Sequence, residues 1–338
     1  MEFSISLSSL RPPAILPQLY KSSSHGKKWG SMAKASSQNP YYMAKIVVIA
    51  SGCLFARVLV ENSQLFRWSL LCKAFPGLIA ILLLNGFHNG MNEIFDVDID
   101  RSKRQIFDSR LKANVAWTFI RVNKPYLPIP SGDLSLEQAW LLVIFAVFSG
   151  LLILRWMNAD LITTSIYCLA ILLCTSYSAP PFRFKQSSVA TSIVNPTIGG
   201  ILPNIGVLYA TRASLGLPFQ WSPSTVFITT FMTLFFLVIT NIKDLTDVKG
   251  DIKHNIRTFP AIYGPRKVVF FFTGILLLDY IGSMVVSIYM PQAFKPYIMA
   301  PAHAIFSLWL LIEAKKLDKA NYTKVIYMQV LLIKYMLS

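Results

Sequence analysis

The run QAWLLVIFAVFSGLLILRW, residues 138–156, contains one charged residue in 19 and decides the class of fold. At about 1.5 Å per residue, a helix of this length crosses the hydrocarbon core of a bilayer, which is about 30 Å thick. Seven more apolar runs are candidate spans: 43–60, 70–91, 161–179, 193–210, 224–242, 268–290 and 298–314. We therefore predict an all-α, polytopic membrane helix bundle with eight or nine transmembrane helices, the ninth a short run from Val325.

The composition excludes most other classes of protein. The chain has 338 residues, of which 54% are hydrophobic and 14% charged, whereas a soluble domain carries about 25% charged residues. A disordered chain would need low hydrophobicity. The net charge of +16 is typical of a nucleic-acid-binding protein, but most basic residues lie in loops between the apolar spans, where membrane topology explains them. We predict that the protein is surrounded by membrane lipid and has no nucleic-acid partner.

The loops between the spans differ in charge. Counting spans places loops 92–137, 180–192, 243–267 and 315–323 on one face, and these carry 18 Lys and Arg. The loops of the opposite face carry three: Arg67, Arg212 and Lys295. This asymmetry supports the span count.

Residues 1–40 differ from the rest of the chain. They contain ten serines, five Lys or Arg and one acid, without an apolar core of secretory length. This composition is typical of a transit peptide for a plastid or a mitochondrion, the alternative being a disordered cytosolic tail. The predicted membrane domain is then 41–338.

Seven of the 16 acids fall in two short segments on the positive face, residues 92–100 (NEIFDVDID) and 244–251 (DLTDVKGD). On helices, Asn92, Asp96 and Asp100 share one side, and so do Asp244, Asp247 and Asp251. Stacked carboxylates repel one another. Mg²⁺ reverses that repulsion, because it binds one or two carboxylates and completes its shell with water and substrate phosphates. The pattern predicts a site that holds a diphosphate through Mg²⁺.

Two alternatives remain at this point. The acids could simply end helices at the membrane interface. The chain could also be a transporter, since helix-unfriendly residues interrupt span 193–210, but this leaves both acidic segments unexplained.

The two segments match the motifs N-x-x-x-D-x-x-x-D and D-x-x-D-x-x-x-D, and the chain thereby resembles the UbiA superfamily of intramembrane prenyltransferases. Residues 123–128 (NKPYLP), 177–185 (YSAPPFRFK) and 211–221 (TRASLGLPFQW) are similar to the plant homogentisate prenyltransferases, most closely to the solanesyltransferase branch. The resemblance covers residues 55–101 and 122–324.

The resemblance implies a nine-helix bundle whose cavity opens to lipid, in a chloroplast membrane. The implied reaction transfers a solanesyl group from its diphosphate to homogentisate with decarboxylation, in plastoquinone biosynthesis. Two Mg²⁺ and the diphosphate would be held by Asn92, Asp96, Asp100, Asp244, Asp247 and Asp251. The candidate ligands of the phosphate oxygens are Lys124, Arg183, Lys185 and Lys243. Tyr177 would stabilise the allylic cation through its ring, or anchor the chain at the membrane interface.

The chain departs from the family pattern in three places. Residues 102–121 are an atypical insert between the first acidic segment and the NKPYLP segment, and we expect it to impair activity. No Arg-Pro segment precedes the first span, where residues 39–45 read NPYYMAK. The resemblance stops after Lys324, which predicts a truncated last helix.

The alternative functions are homogentisate phytyl- or geranylgeranyltransferase, a flavonoid prenyltransferase, and, because of these three departures, a non-catalytic splice isoform.

One histidine, His88, lies within the predicted span 70–91. His88 is expected to be a hydrogen-bonded residue of the bundle rather than a catalytic one.

Overall fold

The computed structural model describes residues 39–65, 68–112, 128–246, 248, 252 and 257–319. Eight long helices make up the described chain: α1 Asn39–Glu61, α2 Trp68–Lys112, α3 Leu136–Trp156, α4 Leu161–Ser178, α5 Ser188–Ser214, α6 Pro223–Lys243, α7 Pro265–Tyr289 and α8 Pro296–Lys319. Short helical segments lie between them: Ser63–Leu65, Pro128–Ser131, Phe184–Gln186, Asp244–Thr246 and Phe259–Tyr263.

The predicted all-α, polytopic bundle is confirmed. The segment Ala74–Asp96 of α2 and all of α3 to α8 are long and apolar enough to cross a membrane. The 23-residue helix α1 contains the remaining predicted span, 43–60. The run from Val325 and residues 1–38 lie outside the described residues.

Helix α2 is longer than the sequence indicated. It has 45 residues, so it includes the whole first acidic segment and continues through residues 102–112 of the predicted insert. Those 11 residues, SKRQIFDSRLK, contain neither Gly nor Pro and are rich in Lys, Arg, Gln and Leu, which are good helix formers. The insert therefore begins as a continuation of the helix that carries the candidate site.

The core is built from pairs of adjacent helices. Helix α2 packs along α3, α5 along α6, and α7 along α8. Between α2 and α3, Phe87 and Met91 meet Ala139 and Val143 in one buried cluster. Helices α5 and α6 approach so closely that a Cβ at Gly200 would lie 2.7 Å from the Cα atom of Thr233. Small residues permit this close approach in a bilayer, where packing rather than hydrophobicity holds helices together.

Helix α5 contains the irregularity that its sequence predicted. Residues Thr197–Ile201 form a π-helical turn directly after Pro196. The side-chain amide of Asn204 donates a hydrogen bond to the carbonyl oxygen of Gly200 at 2.7 Å. This bond gives a backbone carbonyl of the π-helical turn a partner. Such turns are frequent at functional sites, and this one separates the half of α5 near the acidic segments from the other half.

Candidate active site

The two acidic segments begin at the same end of the bundle. Asp96 closes the membrane-spanning part of α2, and Asp244 follows directly after α6. The hydroxyl of Ser192 in α5 donates to Asn241 Oδ1 at 2.9 Å, which ties α6 to α5. Arg257, beyond the second segment, pairs through its backbone with Ser187. We call this end of the bundle, defined by these residues, the acidic end.

An ion pair joins the first acidic segment to the loop after α4. Lys185 Nζ lies 2.7 Å from Asp96 Oδ1. The side chain of Lys185 is 13% exposed and that of Asp96 is 35% exposed. Partial burial strengthens the attraction, because the effective dielectric constant is lower than in water. The pair therefore places an ammonium group where the predicted diphosphate would bind.

Arg183 is held at the same place by a strained backbone. Its φ of 43° lies in the left-handed region, which is unfavourable for a residue with a side chain. Its Nη2 donates to the Phe95 carbonyl oxygen at 3.1 Å. Its Nε is buried and has no hydrogen-bond partner in the part of the chain that the structure describes. A buried guanidinium N–H without a partner favours binding of an anion, and strained residues cluster at such sites.

Asn92 is positioned by two neighbours. Its Oδ1 accepts a hydrogen bond from the hydroxyl of Ser178 at 2.5 Å, and its Nδ2 lies 3.4 Å from Nε2 of His88. An amide oxygen has two lone pairs, so Asn92 Oδ1 retains one after binding Ser178. Ser178 thus orients Asn92 with an oxygen available to a cation.

Tyr177 faces the interior of the bundle. It is 5% exposed, its ring centroid lies 5.4 Å from that of His88, and its hydroxyl accepts a hydrogen bond from Asn195 Nδ2 at 3.2 Å. The interpretation of Tyr177 as an interface anchor is therefore wrong, because an anchor would be exposed to headgroups.

The described donors suit Mg²⁺. Asn92, Asp96 and Asp244 offer carboxylate and amide oxygens, the hard ligands that Mg²⁺ prefers. No three His, Cys, Asp or Glu side chains among the described residues form a metal-binding group. The side chains of Asp100, Asp247 and Asp251, and all of Lys124, lie outside that described set. The six-residue metal site stays a prediction.

The basic residues of the acidic end come from two parts of the chain. Lys185 pairs with Asp96, and Arg183 donates to the carbonyl oxygen of Phe95. Lys243 is the last residue of α6, directly before the second acidic segment. Three of the four predicted phosphate ligands therefore lie at one end of the bundle.

Three polar residues of this region are not predicted as site residues by the sequence: Ser178, Asn195 and His88. Each is a polar residue in a membrane-spanning segment, and this is itself a signal of function.

The UbiA prenyltransferase family matches residues 49–329. The chain belongs to this family. The predicted enzyme class, a prenyltransferase, is thereby confirmed. The match includes both acidic segments and every described contact of the acidic end.

Three curated plant proteins are similar to this UbiA chain. It is 44% identical over 276 residues to the probable homogentisate phytyltransferase 2, chloroplastic, of Oryza sativa subsp. japonica, covering 82% of this chain and 67% of the relative. It is 45% identical over 276 residues to the chloroplastic homogentisate solanesyltransferase of Arabidopsis thaliana, covering 82% and 66%. It is 42% identical to the 2-acylphloroglucinol 4-prenyltransferase of Humulus lupulus, covering 83% and 63%. The chain spans about two thirds of the length of these relatives.

A solved structure shares the fold of this UbiA chain. The UbiA homolog from Archaeoglobus fulgidus, bound to DMAPP and Mg²⁺, matches with a TM-score of 0.54 and 15% identity, covering 90% of this chain and 96% of that chain. At this identity the likeness concerns the fold alone.

Proposed function

We propose that this protein is a Mg²⁺-dependent enzyme that transfers a solanesyl group from its diphosphate to homogentisate with decarboxylation, in plastoquinone biosynthesis. The observation that carries the proposal is the Asp96–Lys185 ion pair at 2.7 Å, beside the N–H of Arg183 that has no partner among the described residues. This arrangement combines a carboxylate for a metal with buried cations for phosphate.

The diphosphate is bound from two sides. Bound Mg²⁺ would neutralise charge on the leaving diphosphate and so favour cleavage of the allylic C–O bond. The residues proposed to hold it are Asn92, Asp96, Asp100, Asp244, Asp247 and Asp251. Arg183, Lys185, Lys243 and Lys124 donate to the remaining phosphate oxygens, and charge-assisted bonds of this kind are about twice as strong as neutral ones.

The transfer exchanges one bond for another at the allylic carbon. The C–O bond breaks and diphosphate leaves with its electron pair, while a ring carbon of homogentisate supplies the pair of the new C–C bond and then loses its proton. The bond between the side-chain carbon and the carboxylate breaks, CO₂ leaves, and the electron pair left on that carbon takes up a proton to give a methyl group. The buried ring of Tyr177 faces this region and stabilises developing positive charge on the allylic group. The long prenyl tail stays in the bilayer, since each CH₂ moved into water costs about 0.8 kcal/mol.

The relatives support the reaction class and the compartment. Two of the three are named for homogentisate, and both of those are named chloroplastic. We therefore propose a multi-pass location in a plastid membrane, with residues 1–40 as a plastid transit peptide. Phytyl or geranylgeranyl transfer is the second candidate for the donor, because the phytyltransferase and the solanesyltransferase are almost equally similar to this chain.

Residues 102–121 bear on whether this chain is fully active. Residues 102–112 extend the helix that carries Asn92 and Asp96, and the whole insert adds 20 positions between the first acidic segment and Lys124. We propose that the insert lowers the activity relative to a chain without it. A non-catalytic isoform is the limiting case of this proposal.

A donor panel tests the proposed function. Membranes that contain the full chain, or the chain without 102–121, receive labelled homogentisate with solanesyl, phytyl or geranylgeranyl diphosphate. We expect a prenylated, decarboxylated product with Mg²⁺, most rapidly from solanesyl diphosphate, and none in EDTA. Equal turnover in EDTA contradicts the metal assignment. Turnover confined to phytyl diphosphate favours the second candidate.

A further inference from the structure

Two residues that contact Tyr177 each have a buried polar atom without a hydrogen-bond partner in the part of the chain that the structure describes. His88 Nδ1 on α2 and Asn195 Oδ1 on α5 have no hydrogen-bond partner among the described residues. Both residues contact Tyr177, His88 through its ring at 5.4 Å and Asn195 through its Nδ2 at 3.2 Å. Neither atom is accounted for by the binding of diphosphate.

The partner of His88 directs its second ring nitrogen away from the acidic segment. His88 turns Nε2 towards Asn92 at 3.4 Å, so Nδ1, on the far side of the ring, points away from Asn92. Asn195 is only 9% exposed and uses its amide nitrogen for the Tyr177 hydroxyl, which leaves its oxygen. Two residues that contact Tyr177 thus each keep one hydrogen-bonding atom without a partner among the described residues.

Leaving such atoms unpaired is costly. A buried polar group without a partner costs about 1–3 kcal/mol, and most such atoms in proteins are satisfied by protein, water or ligand. The position suits a ligand, because His88 precedes Asp96 by eight residues on one helix, or about 12 Å at 1.5 Å per residue. The two atoms therefore lie on the membrane side of the candidate diphosphate site.

We propose that His88 and Asn195 bind the ring hydroxyls of the aromatic acceptor, with the ring of Tyr177 beside them. Asn195 Oδ1 accepts a hydrogen bond from one hydroxyl, and His88 Nδ1 pairs with the other. A planar, hydroxylated ring is the ligand class that matches two polar atoms beside an aromatic side chain. His88 and Asn195 are thus positioning and specificity-determining residues. This inference rests on the proposed function.

The test compares acceptors in the His88→Phe variant of the full chain. Phenylalanine keeps a ring against Tyr177 and removes both nitrogens. We expect the KM for homogentisate to rise about tenfold, the magnitude of one lost hydrogen bond. Because the variant also loses the contact of Nε2 with Asn92, both KM values are measured at saturating Mg²⁺, where the KM for solanesyl diphosphate should change less than about twofold. Wild type should prefer homogentisate over monohydroxyphenylacetates lacking one ring hydroxyl, and in the variant this preference should fall about tenfold. His88→Gln, which keeps a hydrogen-bonding group, should restore part of the preference.

A second histidine provides the matched control. His303 lies in α8, and its Nδ1 is satisfied by the carbonyl oxygen of Met299 at 2.8 Å. His303→Phe should leave the acceptor preference and both KM values unchanged. An Asn195→Leu variant should lose the same preference as His88→Phe.

The outcomes separate this inference from the proposed function. Equilibrium binding of labelled homogentisate, measured without donor, accompanies the kinetics. If wild type turns over homogentisate and His88→Phe keeps the wild-type preference among acceptors, the inference is overturned and the proposed function stands. If wild type neither binds nor turns over homogentisate, the proposed function fails and the inference fails with it. A uniform loss of both substrates' affinities would indicate a merely structural role and also overturns the inference.

Discussion

The two ends of the bundle satisfy their polar groups in different ways. At the acidic end, the partners are far apart in sequence: Ser178 and Asn92 are 86 positions apart, and Arg183 and Phe95 are 88 apart. At the opposite end, which we define by Asp160, Arg212 and Ser222, the partners are mostly local, although Asp160 also bonds Tyr209 of α5. Ser222 caps the N–H of Thr225, three residues on.

Local contacts of this kind are repeated along the opposite end. Asp160 Oδ1 accepts from the Thr163 N–H at 2.9 Å, and Arg212 Nε donates to the Pro218 carbonyl oxygen at 2.7 Å. Such contacts stop and start helices without help from the rest of the bundle. The contacts of the acidic end form only when several helices have assembled. We infer that the opposite end stabilises the scaffold and that the acidic end is where assembly creates a site.

Removing the carboxylate of the long-range ion pair should have the largest effect. In Asp96→Asn the side chain keeps its shape but loses the charge that pairs with Lys185 and would bind Mg²⁺. We expect prenyl transfer to fall about 10²-fold or more, as measured by product formation at saturating Mg²⁺. Asp98→Asn is the control, because residue 98 falls on another side of the helix than Asn92, Asp96 and Asp100. Equal losses in the two variants would remove the special role of Asp96.

A smaller effect is expected from the hydroxyl that orients Asn92. Ser178→Ala removes the 2.5 Å hydrogen bond to Asn92 Oδ1, so the amide is no longer fixed for a metal. The concentration of Mg²⁺ needed for half-maximal activity should rise about tenfold, the scale on which partners of metal ligands act.

Another buried serine serves as the control for this variant. Ser283 in α7 is fully buried, and its hydroxyl donates to the carbonyl oxygen of Asp279 in its own helix. Ser283→Ala should leave the Mg²⁺ dependence unchanged. A Ser178→Ala variant with wild-type Mg²⁺ dependence would show that Asn92 does not need this partner.

The sequence predicted the scaffold well because hydropathy and span length are local properties. The predicted span 224–242 became a helix from Pro223 to Lys243, and 161–179 became one from Leu161 to Ser178. Helix α2 was underestimated, since its polar second half carries no hydropathy signal and is helical through its intrinsic propensity.

The site was predicted only in part. The spacing of the acids and the resemblance identified the segments, and span counting indicated that their loops share a face. The pairing of Lys185 with Asp96 could not be read from the sequence, because it depends on how two loops pack. The left-handed φ of Arg183 was equally hidden, since it follows from tertiary contacts rather than from a glycine.

The smallest expected effect lies at the opposite end. Asp160 precedes α4 and caps its first turn. Burial alone would raise the pKa of its carboxyl, but hydrogen bonds from Thr163 and Tyr209 outweigh burial and hold the pKa below its usual value. Its contribution to stability is therefore present above the unfolded pKa of about 4 and is lost as the pH falls through the lower folded pKa.

Asp160→Ala should destabilise the protein by about 1 kcal/mol at neutral pH, a decrease in Tm of roughly 2 °C in detergent, without a change in Mg²⁺-dependent turnover. Asp160→Asn keeps a capping oxygen but cannot ionise, so it should retain most of the stability at neutral pH and lose the acid-dependent part. A loss of turnover as large as that of Asp96→Asn would contradict the division between the two ends, because the described partners of Asp160, on α4 and at Tyr209 of α5, lie away from the acidic end.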